Sequence, residues 1–314
     1  MQLVRGPQAL PGTERGSVLT IGAYDGLHLG HQALIARAGE VALLRRQPAL
    51  LLTFEPMPRE FLSPKDPPAR LTSLRERWRI LAGSPLTHLW LLRFSEALRN
   101  LSAGEFAELL VKAARARHVV VGHDFRFARN GEATAPVLAA AGERLGFAVD
   151  VLSPVMLDGE RISSSGVRTA LAGGEFARAR RWLGRAYSMR GRVIAGTRLG
   201  RELGFPTANL ALARRRAPVA GIFAVRVRGV LPGALPGVAS LGTRPTVGGV
   251  EALLEAHLFD FSGDLYGREI EVEFVAKLRE ERCFETLEAL AAQMRRDAEE
   301  ARQILAGGLS PACE

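Results

Sequence analysis

The chain has 314 residues, 47% of them apolar and 24% charged, and a net charge of +9. That length predicts about two domains of ordinary globular composition, and no apolar run approaches the length of a membrane span. The two cysteines, Cys283 and Cys313, and a start without the basic-then-apolar pattern of a secretory signal predict a cytoplasmic protein with free thiols. The charge is almost wholly arginine, since lysine occurs only at Lys65, Lys112 and Lys277. The arginines are dispersed, with short clusters only at 178–181 and 214–216, and no aromatic residues interleave with them. Solvated surface is therefore the expected reading, with small anionic ligands second and polynucleotide third.

Up to about residue 170 strands and helices alternate. Apolar runs at 18–21, 49–54, 89–94, 119–122 and 147–152 predict strands, and helical spacing fills about 31–46, 72–83, 102–116 and 133–145. Near-continuous apolar strands in such an alternation predict an α/β fold with a parallel, doubly wound sheet. In these sheets ligands bind beyond the carboxyl ends of the strands.

The unusual polar residues follow those ends. After the first strand comes Gly22-Ala23-Tyr24-Asp25-Gly26-Leu27-His28-Leu29-Gly30-His31. Its glycines let the backbone approach a bulky ligand, and the helix start that follows offers N–H groups to an anion. His28 and His31 are placed to act on one phosphate. Two histidines three apart also make half of a metal site, but no further ligands lie nearby in sequence, and phosphate chemistry is the favoured reading. Glu55-Pro56-Met57-Pro58-Arg59 follows the second strand and Gly122-His123-Asp124-Phe125-Arg126-Phe127 the fourth. One crevice collecting all three is the expectation, with ordinary polar loops as the alternative. Three hydroxyls, Ser163, Ser164 and Ser165, then precede Arg168 and a helix running to about residue 184. Capping hydroxyls and a bidentate guanidinium suit a phosphate clamp, although serine caps also occur without a ligand.

After Arg185 the helices between strands disappear. Alternating runs at 189–195, 221–230, 238–241, 253–261 and 270–275 predict an antiparallel barrel or sandwich, closed by one amphipathic helix over 284–305 and a frayed end over 306–314. The domains are accordingly placed at 1–184 and 185–314. Gly196, Gly200 and Gly204 suggest a flap over polyphosphate, or merely a turn. In an extended segment Thr207 and Asn209 share a face and suit Mg²⁺ carried in by a nucleotide. Glu255 shares a face with His257 and Phe259, so its carboxylate is expected inward, where it needs a partner or a task; a solvated face is the alternative.

Together these motifs resemble the bacterial bifunctional riboflavin kinase/FAD synthetases over nearly the whole chain. The resemblance is carried by Thr53-Phe54-Glu55-Pro56, Pro68-Ala69-Arg70-Leu71-Thr72-Ser73-Leu74 and Val121 to Phe127. The second half adds Gly204 to Asn209, Gly242-Thr243-Arg244-Pro245-Thr246 and Gly263-Asp264-Leu265-Tyr266-Gly267. It implies a Rossmann-like nucleotidyltransferase domain that turns FMN and ATP into FAD and pyrophosphate. It also implies a six-stranded antiparallel barrel that turns riboflavin and ATP into FMN and ADP. In the first domain the resemblance makes His28, His31 and Arg168 catalytic, gives ATP to Gly22, Tyr24, Asp25, Gly30, Ser163, Ser164 and Ser165, and gives the flavin to Asp124, Phe125 and Arg126. In the second it makes Glu255 the general base and gives ATP to Gly196, Gly200, Gly204, Thr207 and Asn209, the last two also holding Mg²⁺ or a similar ion. No permanently bound cofactor, nucleic acid or membrane is expected, and self-association is left open. Departures from the family pattern are Ala23-Tyr24 for Asn-Phe, Met57 for His, Ala128 for Gly, Ser165 for Thr, Gly166 for Arg and Ala186 for Pro.

Overall fold

The computed structural model describes residues 1–196, 200, 203–214, 216–246 and 249–307, without the side chains of Asn130, 243–246 and 249–251. Cys313, part of the glycine flap (197–199 and 201–202) and the side chains of Thr243 to Thr246 thus lie outside the described residues. Contacts divide the chain into two compact units, Met1–Pro68 with Arg77–Ser163, and Ala69–Glu76 with Ser164–Glu314.

The first unit is built on a six-stranded sheet. Its strands are β1 (Gln2–Arg5), β2 (Ser17–Ile21), β3 (Ala49–Glu55), β4 (His88–Arg93), β5 (Ala116–Gly122) and β8 (Ala148–Leu152); β6 (Arg126–Phe127), β7 (Ala133–Thr134), β9 (Met156–Leu157) and β10 (Glu160–Arg161) are two-residue strands outside it. The order is β1-β4-β3-β2-β5-β8 and every pairing is parallel. The chain steps outward from β2 through β3 to β4, then restarts at β5 on the other side of β2. That reversal puts the switch point between β2 and β5, where parallel sheets open a crevice at their carboxyl edge. β2 is buried along its whole length, and Leu50, Leu51, Leu52 and Trp90 are fully buried in the neighbouring strands. Such two-sided burial explains why these strands read as continuous apolar runs.

Helices α1 (Leu29–Arg45), α3 (Leu74–Leu81), α5 (Ala103–Ala114) and α6 (Ala135–Leu145) match the four expected segments; α2 (Pro58–Leu62) and α4 (Glu96–Arg99) are short additions. α3 begins later than the spacing predicts because Ser73 and Glu76 cap it reciprocally, Ser73 N donating to Glu76 Oε2 (2.6 Å) and Glu76 N to Ser73 Oγ (3.3 Å). β1 was not expected: it has four residues, and three of them are exposed at the sheet edge, so no apolar run announces it.

In the second unit, the single helix expected to residue 184 is broken in two, α7 (Ser164–Ala172) and α8 (Phe176–Leu183). Gly174, at φ +76°, makes the break in a backbone region that glycine occupies without steric cost. The barrel strands are β11 (Ser188–Ile194), β12 (Ala208–Ala211), β13 (Gly221–Arg228), β14 (Ala234–Thr246), β15 (Gly249–Leu258) and β16 (Glu269–Arg279). They close in the order β11-β12-β15-β14-β13-β16 with every pairing antiparallel, which decides between barrel and sandwich. Helix α9 (Leu287–Gly307) packs Ala298, Ala301 and Leu305 against Ala224 and Phe259.

The reading of the arginines as solvated surface fails at three buried positions, Arg70, Arg77 and Arg214. Arg214 is buried, and its Nη2 donates to Glu76 Oε1 at 2.7 Å and Oε2 at 2.5 Å. Arg77 is likewise buried, in the first unit. Arg77 and Arg214 are both paired, as a buried guanidinium must be.

Gly166, where the family commonly has arginine, lies against the buried ring of Trp182: a Cβ built there would fall 2.8 Å from Trp182 Cη2. Helix propensity alone would make Gly166→Ala stabilising by ~1 kcal/mol. A rigid indole cannot yield, and overpacking typically costs ~1–3 kcal/mol. We expect Gly166→Ala to lower the melting temperature by a few degrees in thermal unfolding.

Candidate active sites

The Gly22–His31 turn joins β2 to α1 with three residues in the left-handed region, Tyr24 (φ 51°), Gly26 (φ 83°) and Leu27 (φ 47°). Gly22 N donates to Leu52 O (3.1 Å), tying the start of the turn to β3. Tyr24 is buried beneath the turn, its hydroxyl bonded to Thr20 Oγ1, and burial pushes its phenol pKa well up. Asp25 is buried as well, while Gly22, Gly30 and His31 are half-buried. Tyr24, Asp25 and His28 thus all have little exposed surface.

His28 is the N-cap of α1. Its Nδ1 accepts from His31 N at 3.4 Å, so the proton of the neutral ring resides on Nε2. The two imidazoles stack with centroids 3.7 Å apart and planes 20° apart, and His31 lies 4.9 Å from the Tyr24 ring. A Cβ on Gly30 would meet the His28 ring at 3.1 Å, so glycine there lets the histidine fold back over the helix start. The same point is 3.9 Å from the carbonyl of Ile162, which brings the chain just before Ser163 to this helix N-terminus. The result is a pair of stacked donors at the positive end of a helix, beside the switch point.

Of the flavin candidates, Asp124 and Arg126 are exposed and Phe125 is half-buried, stacked on Phe127 at 5.4 Å and 17°. Asp124 is paired with Arg161. Ser163 ends the first unit; Ser164, Ser165 and Arg168 belong to α7 in the second, where Arg168 Nε donates to Ala69 O at 2.6 Å. Met57 is buried, with its backbone N–H on Glu60.

In the second unit, antiparallel register sets Asn209 opposite Glu255 and Glu255 opposite Ser240. Directly opposed residues project from the same face. The buried side of β15 is the other one, carrying Ala252, Leu254, Ala256 and Leu258. Glu255 thus departs from the expected inward orientation. It is half-buried on the outer face of the barrel wall and lines a cavity of about 480 Å³ with Gly200, Thr207, Ser240 and His257. The opposite wall includes Arg279, Phe284, Met294 and Asp297, and that volume suits a ligand of cofactor size.

Two of the glycines explain themselves here. A Cβ on Gly196 would fall 2.6 Å from Asn209 Oδ1, and one on Gly200 would fall 3.4 Å from Thr207 Oγ1. Both let the backbone close on the two polar side chains. Gly204 serves a different need, a left-handed turn at φ 83° with open space around it.

Several residues of the sites escaped sequence reasoning. His257 Nδ1 donates to Pro206 O at 2.9 Å and so fixes the entry of the chain to Thr207. Arg279 and Asp297 form a bidentate pair at the cavity wall, Nε to Oδ1 at 2.9 Å and Nη2 to Oδ2 at 2.6 Å. Arg77 Nη1 donates to the carbonyl of Ala23, inside the first turn, at 2.9 Å. The parity of His257 with Glu255 was a usable signal; the partners of Arg77 and Arg279 lie too far away in sequence to have been one.

The FAD synthetase family model matches residues 10–166, and the riboflavin kinase family model matches 183–305. A bifunctional riboflavin kinase/FMN adenylyltransferase of Pseudomonas fluorescens is 45% identical over 98% of this chain and 98% of its own length. One from Escherichia coli K12 is 43% identical over 97% and 98%. A crystal structure described as a macrolide-efflux protein from Streptococcus pneumoniae superposes with a TM-score of 0.80 at 31% identity, covering 96% of this chain and 99% of that one. An efflux role has no counterpart in the named relatives, and no helix among the described residues is long and apolar enough to cross a membrane. With both family models matched in order and the relatives aligned nearly end to end, the chain belongs to the bifunctional riboflavin kinase/FMN adenylyltransferase family.

Proposed function

We propose that Glu255 is the general base of the kinase reaction and that the Gly22–His31 turn carries the adenylyl transfer. The chain is a bifunctional enzyme. Its carboxyl-terminal half phosphorylates riboflavin with ATP to FMN, and its amino-terminal half adenylylates FMN with ATP, giving FAD and pyrophosphate. We assign these activities to residues 185–314 and 1–184 respectively.

The observation that carries the kinase assignment is the sharing of one cavity by Glu255 and Thr207, with Asn209 opposite Glu255 in the sheet. A primary alcohol is a poor nucleophile at pH 7, and a carboxylate at its hydroxyl takes the proton as the oxygen attacks the γ-phosphorus of ATP. Thr207 and Asn209 offer a hydroxyl and an amide oxygen, hard donors that fit Mg²⁺. When bound, such an ion neutralises charge on the phosphates. His257 holds Pro206 and with it the approach to Thr207, and the cavity walls keep the flavin's reacting end against Glu255.

Adenylyl transfer needs no such base. The nucleophile is the phosphate of FMN, already an anion near neutral pH. It attacks the α-phosphorus of ATP and pyrophosphate leaves, so the enzyme has to position the two anions and stabilise the charge that develops. In our assignment His28 donates through Nε2 and His31 stacks behind it. The first turn of α1 adds its N–H groups, and Ser163, in the same unit, offers its hydroxyl to a phosphate oxygen. Asp124, Phe125 and Arg126 are assigned to the flavin. The partners this requires are riboflavin, FMN and ATP, with FAD, ADP and pyrophosphate as products.

Incubation with riboflavin, ATP and Mg²⁺, followed by chromatography, tests both assignments. Glu255→Gln should lower FMN formation by ~10²–10⁴-fold and leave conversion of supplied FMN to FAD intact. Normal FMN formation by that variant would remove Glu255 from its role. His28→Ala should stop the sequence at FMN, adenylylation falling by ~10²–10³-fold with kinase activity unchanged.

A further inference from the structure

We infer that Arg77 is a positioning residue for adenylyl transfer, holding the Gly22–His31 turn in its reactive shape; this rests on the assignment of that turn proposed above. Arg77 lies on α3, where its side chain is 1% exposed. Its Nη1 donates to Ala23 O (2.9 Å) and Thr53 Oγ1 (3.0 Å), and its Nη2 donates to Glu55 Oε2 (3.0 Å). Thr53 Oγ1 in turn donates to the same Ala23 carbonyl at 3.2 Å, closing a triangle of hydrogen bonds on one backbone oxygen. Thr53 and Glu55 are two apart on β3, so they share a face and meet one planar guanidinium.

What this fastening opposes is local strain. Immediately after Ala23 the chain enters the left-handed region at Tyr24 and again at Leu27. For residues other than glycine this costs of order 1–3 kcal/mol each and persists only when the surroundings over-determine it. The peptide held by Arg77 is the one that enters this stretch, and the stretch ends at His28, the N-cap whose ring orientation the reaction uses. Arg77 also bonds the end of β3, so the loops after β2 and β3 are referred to one charged group. A relaxed turn would carry His28 and the helix start away from the α-phosphate without removing any group that touches substrate. In adenylyl transfer, where positioning is most of the catalysis, a misplacement of ~1 Å costs about 10² in rate.

The full-length enzyme supplies the test. Arg77→Ala should lower kcat for FMN adenylylation by about 10–100-fold, with KM for FMN and ATP within about threefold of wild type and riboflavin phosphorylation unchanged. Millimolar guanidinium ion, a soluble copy of the lost group, should raise the rate of Arg77→Ala by about tenfold or more and leave wild type unaffected. Arg77→Lys should fall between the two, because an ammonium cannot match the fork that serves three acceptors. A wild-type kcat in Arg77→Ala, or a loss that guanidinium does not reverse, overturns the inference. His28→Ala run in parallel separates the two levels. If it adenylylates normally, the reading of the turn fails; if it is inactive while Arg77→Ala is normal, only the role of Arg77 fails.

Discussion

The register of the barrel strands fixes where Glu255 and Ser240 sit on the cavity wall, and sets Asn209 beside them in the sheet. Asn209, Glu255 and Ser240 form one row across β12, β15 and β14; one position along, Leu210, Leu254 and Leu241 form the next. All three leucines are buried in the barrel interior. Each contributes ~1.5–3 kcal/mol by leaving water, and a slip of one residue would forfeit that and turn the carboxylate inward. The apolar row thus specifies where the polar row must lie. Glu255 is held toward the cavity by residues that never touch a ligand, and the same register brings Asn209 alongside without any contact designed for the purpose.

The first unit solves a similar problem with a charge. A parallel sheet delivers its loops to one edge, but nothing in the sheet dictates the shape of a ten-residue turn. Arg77 supplies that constraint through three acceptors from two strand ends. The neighbouring residue, Glu76, is engaged differently. It takes both hydrogen bonds from the Arg214 Nη2, and its Oε1 also accepts from Arg190 N at 2.8 Å, all within the second unit. Removing one partner of such a buried pair typically costs ~3–5 kcal/mol, because the other is left charged and unsolvated. The segment from Ala69 to Glu76 is held further by Tyr187, whose hydroxyl donates to Leu71 O at 3.1 Å, and by Arg168 at Ala69. This gives the motif from Ala69 onward a structural meaning: it packs with the barrel, although its sequence lies among the strands of the parallel sheet.

What the sequence disclosed and what it hid follow a physical division. Local periodicity exposed five of the six parallel strands, four of the helices that alternate with them and the barrel, because burial on both faces or on one leaves a mark at every second or fourth residue. The same logic placed Gly22–His31 at a strand end and Thr207 and Asn209 on one face. Elements of four residues, β1 and β12, were too short for any period to register. The break between α7 and α8 was visible only as Gly173-Gly174, and the direction of Glu255 could not be settled by alternation, since both faces of β15 carry packed residues. Composition misled where pairing is non-local. Arg77 and Arg214 look like surface until their carboxylates, 22 and 138 residues away, are brought to them by the fold.

The two sites differ because their nucleophiles differ. A phosphate dianion approaching another phosphate is repelled, and a carboxylate beside it would add to the repulsion. The turn after β2 sets stacked imidazole rings at the N-terminus of α1 and keeps the side chain of Asp25 buried. An alcohol brings no charge, so a carboxylate beside it costs little and supplies the proton acceptor the reaction lacks. In the barrel that carboxylate is half-buried in a cavity whose far wall carries the Arg279–Asp297 pair. On the proposed assignment, the need of each reaction for a base, or its lack of one, accounts for which unit displays a carboxylate and which conceals one.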